Sequence, residues 1–330
     1  MQAPHPISTP KVGILLTNLG TPDAPTYGAL RRYLGQFLSD PRVVSLPRLL
    51  WLPLLHGVLL QIIPFKSARN YAKIWDKSHN DSPLRVISQK QAAALQKKLG
   101  KNAVVALGMR YGNPSIESAI DKLVAEGCTR IIHLPLYPQY SAVTTASNID
   151  EVNLVVGKMT HQPTVQHLPP YHDHPLYIQA LADSIEKATD KVNWTADRIL
   201  LSYHGIPKAN WEKGDPYPCH CFKTSRLLRE ALGLSEKQVI CSFQSRFGKQ
   251  EWVRPYTDEL LRTMPAAGIK KLVVLTPAFS ADCVETLEEI AEAGKHTFIE
   301  AGGKEFLFVP CLNDSTAHID LMAAMIKDVL

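Results

Sequence analysis

The chain has 330 residues, of which 45% are hydrophobic and 20% charged, and its formal net charge is +5. This composition is typical of a folded globular protein and excludes a disordered chain. The length predicts roughly two domains. Because Lys and Arg are scattered along the chain, the mild excess of positive charge favours an anionic ligand or a membrane surface, and we expect no nucleic-acid partner.

Cysteine usage and the first residues indicate the compartment. The six cysteines suggest no disulfide framework in a chain of this length, which favours the reducing cytoplasm. Residues 1–10 are polar and rich in proline, unlike a signal peptide. Cys219 and Cys221 flank a histidine, but no second pair completes a metal site, so we interpret them as incidental.

Apolar runs of strand length alternate with helical segments along the chain. We predict strands at 11–16, 103–107, 130–134, 199–201, 239–243, 272–275 and 306–309. We predict helices before residue 38, at 82–99, 115–125, 176–188, 222–232 and 252–264, after residue 283, and at 314–330. This alternation predicts parallel βαβ units and an α/β fold.

Residues 46–65 form a strongly apolar stretch. Pro47, Pro53 and Pro64 interrupt it, so we expect a poor membrane-spanning segment. Two interpretations stay open. The stretch is either a pair of core helices or an apolar lip exposed at the mouth of a pocket or at a bilayer surface.

Three short motifs recur in the same order in the two halves of the chain. Residues 15–22 resemble 200–207, residues 110–112 resemble 246–248, and residues 131–145 resemble 272–286. The repeat predicts two similar α/β domains with parallel sheets that face one another across a central cleft, the usual place for a ligand.

The repeat also suggests where the domains divide. We place a first domain at 1–168, including the apolar stretch 46–65, and a second at 169–313. The closing helix 314–330 is able to pack back on the first domain. The chain carries no glycine-rich phosphate-binding loop, so nothing supports nucleotide binding.

Ionisable side chains follow two of the predicted strands. His204 comes just after the strand 199–201, where residues of a parallel sheet face the ligand crevice. After the strand 272–275, a helix carries Glu285, Glu288, Glu289 and Glu292 on one stripe.

The acidic stripe has two interpretations. It is a solvated helix face, or it is a trail for protons or cations in which Glu285 works with His204. One His with one or two carboxylates can hold a divalent metal loosely or transfer protons. No spacing in the chain predicts a closed structural metal site.

Taken together, the motifs resemble those of the ferrochelatases over nearly the whole chain. They are LLTNLGTP at 15–22, GMRY at 108–111, YPQYS at 137–141, SYHGIP at 202–207, GDPYP at 214–218, FQSRFG at 243–248 and SADCVETL at 280–287. The resemblance implies insertion of Fe²⁺ into protoporphyrin IX to give protohaem, the terminal step of haem synthesis. It also implies two Rossmann-like domains with the porphyrin between them, and cytoplasmic attachment to the inner face of a membrane through the lip 46–65.

The resemblance assigns roles to individual residues. His204 and Glu285 match the active-site His and Glu, which serve as catalytic groups and metal ligands. The proton or metal path would contain Glu289, Glu288, Glu292, Asp282 and Tyr137. The porphyrin pocket would contain Arg110, Tyr111 and Trp252, with Arg31, Arg32 and Arg42 as candidates for the propionates by charge and rough position.

Two departures from animal members bear on cofactors. The cysteine-bearing tail that binds a [2Fe–2S] cluster there is absent, and Ala142 and Cys283 replace a Cys and a His. We therefore expect no such cluster and no tightly bound cofactor, with Fe²⁺ as a substrate. The expected partners are protoporphyrin IX, Fe²⁺, a membrane surface and, as a further candidate, the preceding enzyme of haem synthesis. We expect a monomer or a weak dimer.

Two alternative functions are compatible with these residues. The chain would then be a chelatase for another tetrapyrrole or metal, such as coproporphyrin with iron, or cobalt, or it would be a non-catalytic tetrapyrrole carrier. The apolar lip favours the less polar protoporphyrin. A carrier gives no reason for His204 to meet the acidic stripe.

Overall fold

Two four-stranded parallel sheets form the framework of the protein in this computed structural model, which describes residues 11–248 and 250–330. The first sheet has the order β2-β1-β3-β4, with β1 at Lys11–Thr21, β2 at Ala103–Gly112, β3 at Cys128–Pro135 and β4 at Thr164–His167. The second has the order β6-β5-β7-β8, with β5 at Arg198–His204, β6 at Val239–Gln244, β7 at Lys271–Leu275 and β8 at Glu305–Val309. The equal strand order confirms the two similar Rossmann-like halves. The segment 1–10, interpreted above as unlike a signal peptide, lies outside the described residues.

Helices cover both sheets. They lie at Tyr27–Ser39, Arg48–Ile74, Pro83–Leu99, Ile116–Ala125, 142–157, Pro175–Thr189, Lys208–Glu212, Tyr217–Leu232, Thr257–Thr263, 284–300 and Thr316–Lys327. Three of them contain widened π-helical turns, at Leu55–Leu59, Ala142–Ala146 and Leu287–Gly294. Such turns are frequent at functional sites.

The structure corrects three of the predicted elements. Strand β4 and the helical segment Ser147–Gly157 were not predicted. The helix predicted at 252–264 begins only at Thr257. Pro255 is the reason, since proline has no N–H and keeps the preceding residue out of helical geometry. The backbone before it is extended instead, and the Val253 N–H donates to the Ile206 carbonyl at 3.1 Å.

The apolar stretch lies on one continuous helix, Arg48–Ile74, which we call the lip helix. The expected interruption is wrong, because the helix continues through both Pro53 and Pro64, and the π-helical turn separates the two prolines. It has 27 residues and a mean hydropathy of 1.5 in its most apolar window, only 22% of which is buried. By length and composition it is the one helix of the described residues that could cross a membrane. Much of its apolar surface is therefore exposed to solvent.

One continuous core joins the two sheets. Ile14 and Leu16 of β1 belong to the same buried cluster as Leu201 and Tyr203 of β5. The closing helix Thr316–Lys327 contributes to this cluster and also contacts the first half of the chain, where Asp320 pairs with Lys98 at 2.5 Å. Both halves are thus held at a fixed mutual position by shared packing, which defines the cleft between them.

Candidate active site

A cleft of about 570 Å³ lies between the two halves, next to the carboxyl ends of β1 and β5. This location follows from the topology, because in parallel α/β sheets the loops after the strands converge on one edge. Apolar side chains such as Leu19, Phe37 and Trp252 form much of its wall. His204, Glu285, Glu288 and Glu289 also line it. An apolar cleft with a few convergent ionisable groups is typical of a ligand site.

His204 is the last residue of β5 and lies in register with Gln244 of β6. Its Nδ1 is 2.7 Å from the Gly205 carbonyl oxygen. A carbonyl only accepts, so we assign the proton to Nδ1, which leaves the lone pair on Nε2. Glycine at 205 allows the backbone to pass close to β6, since a Cβ there would lie 2.8 Å from the Gln244 carbonyl oxygen. The geometry therefore offers Nε2 as a base or a metal ligand.

Glu285 lies in the first turn of the helix 284–300, which we call the acidic helix. The Gln244 side-chain amide donates to the Glu285 carbonyl at 2.8 Å, and Ser202 donates to the Gln244 side-chain oxygen at 2.7 Å. These bonds attach the start of the acidic helix to β5 and β6. They fix the position of Glu285 relative to His204 at the end of the same sheet.

Glu289 is held by Ser245, the residue that follows β6. The Ser245 N–H donates to one carboxylate oxygen at 2.8 Å and its hydroxyl donates to the other at 2.6 Å. Burial raises the pKa of Glu289 above its ordinary value, although these bonds and the nearby His204 lower it. A carboxyl with a raised pKa beside a histidine is suited to taking up and releasing protons.

Glu288 lines the cleft, but both it and Glu292 also contact the lip helix. Glu288 faces the lip helix, where Lys73 donates to it at 2.9 Å and Asn70 at 3.3 Å. Glu292 lies 3.5 Å from the same Lys73 ammonium and is largely exposed. The structure thus divides the stripe into two columns, Glu285 with Glu289 and Glu288 with Glu292.

The two other candidates for the path lie in different surroundings. Tyr137 lines the cleft, and burial raises its pKa above the ordinary value. Asp282 is buried at the start of the acidic helix, away from the cleft wall, where Asn313 donates to it at 2.7 Å and Thr286 at 2.9 Å. Its contacts are those of a residue that orders the loop before the helix.

Of the candidates for porphyrin contact, Trp252 lines the cleft directly. Tyr111 is buried behind the wall and donates to Asp40 at 2.8 Å. Arg110 pairs with the same Asp40 at 2.8 Å and with Glu151 at 3.0 Å. Tyr111 and Arg110 therefore support the wall of the cleft from behind.

The three arginines considered for the propionates do not line the cleft. Arg42 pairs with Asp150 at 2.7 Å. Arg32 lines a separate pocket of about 150 Å³, while Arg31, on the same helix, is half-buried outside both cavities.

Sequence reasoning missed the side chains that hold the acidic helix. Gln244 and Ser245 belong to a motif at 243–248 that carried the resemblance, but nothing in the sequence pointed to their hydrogen bonds. Nothing in the sequence indicated a role for Asn70 or Lys73.

Over residues 11–248 and 250–330, no three His, Cys, Asp or Glu side chains gather closely enough to suggest a metal site. Cys219 is exposed whereas Cys221 is buried.

Comparison with known proteins decides the family. The model of the ferrochelatase family matches residues 11–330. The chain belongs to the ferrochelatase family. It is similar to the ferrochelatase of Mesorhizobium japonicum, with 47% identity over 98% of this chain and 92% of the relative. It is also similar to that of Vibrio parahaemolyticus, with 49% identity over 97% of this chain and 98% of the relative.

Solved structures support the fold at lower identity. SirB from Bacillus subtilis with Fe³⁺ has a TM-score of 0.57 and 14% identity, and the match covers 96% of this chain and 95% of that one. CbiX, described as the terminal enzyme of sirohaem biosynthesis in denitrifying bacteria, has a TM-score of 0.51 and 14% identity over 97% and 99% of the two chains. These likenesses show the two-domain chelatase fold, as the sequence predicted.

Proposed function

We propose that the cleft is the active site in which this enzyme inserts Fe²⁺ into protoporphyrin IX to form protohaem, the activity of the ferrochelatase family. One observation carries the assignment to the cleft. His204 from the second sheet and Glu285 and Glu289 from the acidic helix line the same largely apolar cleft. An apolar wall suits the porphyrin face, and the ionisable groups suit a reaction that exchanges protons for a cation.

The chemistry follows from what these side chains can do. Metalation removes two pyrrole N–H protons and strips water from Fe²⁺. A neutral His204 accepts a proton, or binds the incoming cation, at Nε2. Glu289 lies within the influence of both His204 and Glu285 and passes protons onward. Contacts to the remote parts of the macrocycle supply the strain that bends the ring and exposes a nitrogen lone pair.

For the wall of the site, we assign porphyrin contact to Trp252 and a polar contact on the metal side to Tyr137. Arg110 and Tyr111 then act by holding the wall in place through Asp40. Arg31, Arg32 and Arg42 stay candidates for the propionates only through a movement of their side chains. Asp282, Glu288 and Glu292 are assigned to the surroundings of the path rather than to the reacting centre.

For localisation, we propose peripheral attachment to the cytoplasmic face of a membrane through the lip helix. Leu49 is 90% exposed, Leu50 74% and Ile62 64%, a concentration of apolar surface that soluble proteins rarely leave uncovered. The lip helix also borders the cleft through Asn70 and Tyr71. An apolar substrate dissolved in a bilayer would therefore meet the cleft at its mouth.

The first test is catalysis by purified protein with protoporphyrin IX and Zn²⁺ as an air-stable substitute for Fe²⁺, followed by porphyrin absorbance. We expect His204→Ala and Glu285→Gln to lower kcat by at least about 100-fold, the scale on which a general acid or base contributes. Porphyrin binding should persist in both. The matched control is Glu300→Gln at the exposed end of the same helix. Full turnover in His204→Ala would disprove the assignment, and porphyrin binding without turnover in the unmodified enzyme would indicate a carrier.

A further inference from the structure

The outer column of the acidic helix is bound by the lip helix. The Glu288 carboxylate accepts one hydrogen bond from Lys73 at 2.9 Å and another from Asn70 at 3.3 Å. Asn70 and Lys73 are three residues apart, so they lie on one face of the lip helix. The Glu288 side chain is only 14% exposed and lines the cleft, whereas Lys73 is 47% exposed, so this contact lies at the edge of the cleft between the two halves.

Lys73 also places positive charge where an outer trail for cations would run. Its ammonium lies between Glu288 at 2.9 Å and Glu292 at 3.5 Å. A cation that moved from Glu292 to Glu288 would have to displace or pass this ammonium, and like charges at such distances repel. Glu285 and Glu289, the inner column, have no such cation among their contacts in the described residues.

We propose that Asn70, Lys73 and Glu288 form a latch that positions the acidic helix, and that Glu288 does not conduct Fe²⁺. The latch holds one side of the helix to the lip helix, while Gln244 and Ser245 hold the other side to the second sheet. Between these two attachments, Glu285 and Glu289 are kept at a fixed distance from His204. The inference rests on the proposed function, because it assigns a role in the same reaction.

The π-helical segment of the acidic helix benefits from a second attachment. Leu287–Gly294 is π-helical. Its hydrogen bonds join residues five apart instead of four, and such segments are rare in proteins. Ile290 packs the segment into the core, and a hydrogen-bonded attachment on each side further restricts its rotation about the helix axis. Misplacement of reacting groups by about 1 Å can cost on the order of 100-fold in rate. Lys73 is thus a positioning residue whose contribution is read in kcat.

The test is a double-mutant cycle with Lys73→Met and Glu288→Gln, in which kcat and the KM for Zn²⁺ are measured separately. We expect each single variant to lower kcat about tenfold, which is less than the loss of on the order of 100-fold for a misplacement of about 1 Å. The KM for Zn²⁺ should stay within about twofold of that of the unmodified enzyme. The double variant should be no worse than either single variant, because both remove the same ion pair. Lys73→Arg, which keeps the charge and the donors, should restore most of kcat.

A conducting role for Glu288 gives the opposite pattern. Glu288→Gln would then raise the metal KM, while Lys73→Met would lower it by removing a repelling cation. That outcome, or strictly additive effects, overturns the latch. Lys66→Met on the exposed part of the lip helix is the matched control and should retain normal kinetics. Absence of metalation in the unmodified enzyme would instead refute the proposed function, so the two failures are distinguishable.

Discussion

Ser245 shows how one backbone conformation prepares the site. Its φ of 64° lies in the left-handed region and directs both its N–H and its hydroxyl at Glu289. This conformation costs on the order of 1–2 kcal/mol for a residue with a side chain. Hydrogen bonds to a charged group contribute about 1.5–3 kcal/mol each, which offsets that cost. Ser245 therefore limits the rise in the pKa of Glu289 that burial causes.

Removing the Ser245 hydroxyl should move the pH dependence of the reaction. In Ser245→Ala the carboxylate loses one charge-stabilising bond, so the pKa of Glu289 rises further. A bond of about 1.5–3 kcal/mol corresponds to roughly 1–2 pH units, and the acid limb of kcat should shift upward by that amount. Ser245→Gly should shift it equally while keeping the left-handed backbone without strain. An acid limb that stays in place in both variants contradicts this role of Glu289.

Single residues differ in how far the sequence predicts them. His204 and Glu285 were found because each follows a buried strand, and strand ends converge on the cleft. The left-handed turn at Ser245 was not predictable, since it depends on a contact with Glu289 from a distant helix. Arg42 was chosen by charge, but the structure pairs it with Asp150, which is 108 positions away in the chain. Charge alone does not say which acidic partner a long side chain will meet.

Among the elements, the acidic helix departs from the regular period used to predict it. At about 100° per residue its four glutamates share one stripe. A π-helical segment turns less per residue, so Glu288 and Glu292 rotate away from Glu285 and Glu289. The sequence therefore predicted the helix and its acidic face, whereas the division into two columns required the structure. The lip helix is the converse case, since proline content predicted a break that the helix does not show.

The exposed face of the lip helix leads to a binding prediction. Replacing Leu49, Leu50 and Leu54 by Ser should weaken binding to phospholipid vesicles by about tenfold per side chain. The reason is that moving one leucine side chain from water into lipid lowers the free energy by at least about 1.5 kcal/mol. Activity on detergent-dispersed porphyrin and thermal stability should change little, because these side chains are mostly exposed. Vesicle sedimentation measures the effect, with Leu154→Ser, an equally simple change at an exposed leucine, as the control. Unchanged partition would show that the lip does not dock on lipid.

At the scale of the whole molecule, the repeat and the alternation of strands and helices were sufficient to predict two parallel sheets around a cleft. Strand β4 was missed because Thr164–His167 is short and half polar, as suits an edge strand. The division into 1–168 and 169–313 stays a proposal. The shared core joins residues of both segments, so we expect the two halves to unfold together rather than in separate steps.

Buried histidines should make that shared fold sensitive to acid. The His133 Nε2 shares a hydrogen bond with the Thr17 hydroxyl at 2.8 Å, and its Nδ1 lies 2.7 Å from the His167 Nδ1. Burial lowers the pKa of His133 to about 3. His318 bonds the Asn313 carbonyl at 2.7 Å, its second ring nitrogen is buried without a partner, and burial lowers its pKa to about 4. In the unfolded chain both would titrate near pH 6.5. The unfolded state therefore binds more protons below that pH, and the free energy of unfolding falls as the pH drops from about 6.5 towards 4.

The size of this effect can be tested at His318. Each such histidine should lower the free energy of unfolding by up to about 3 kcal/mol between pH 7 and pH 4, since one pKa unit corresponds to about 1.4 kcal/mol. His318→Asn keeps a donor for the Asn313 carbonyl but cannot take up a proton. When the pH falls from 7 towards 4, the free energy of unfolding of this variant should therefore fall by up to about 3 kcal/mol less than that of the unmodified chain. Urea unfolding at pH 7, 5.5 and 4.5 measures the difference. His161→Asn, at an exposed position, should lose stability with pH as the unmodified chain does. Parallel pH curves for His318→Asn and the unmodified chain would show that the pKa of His318 is the same in the folded and unfolded states.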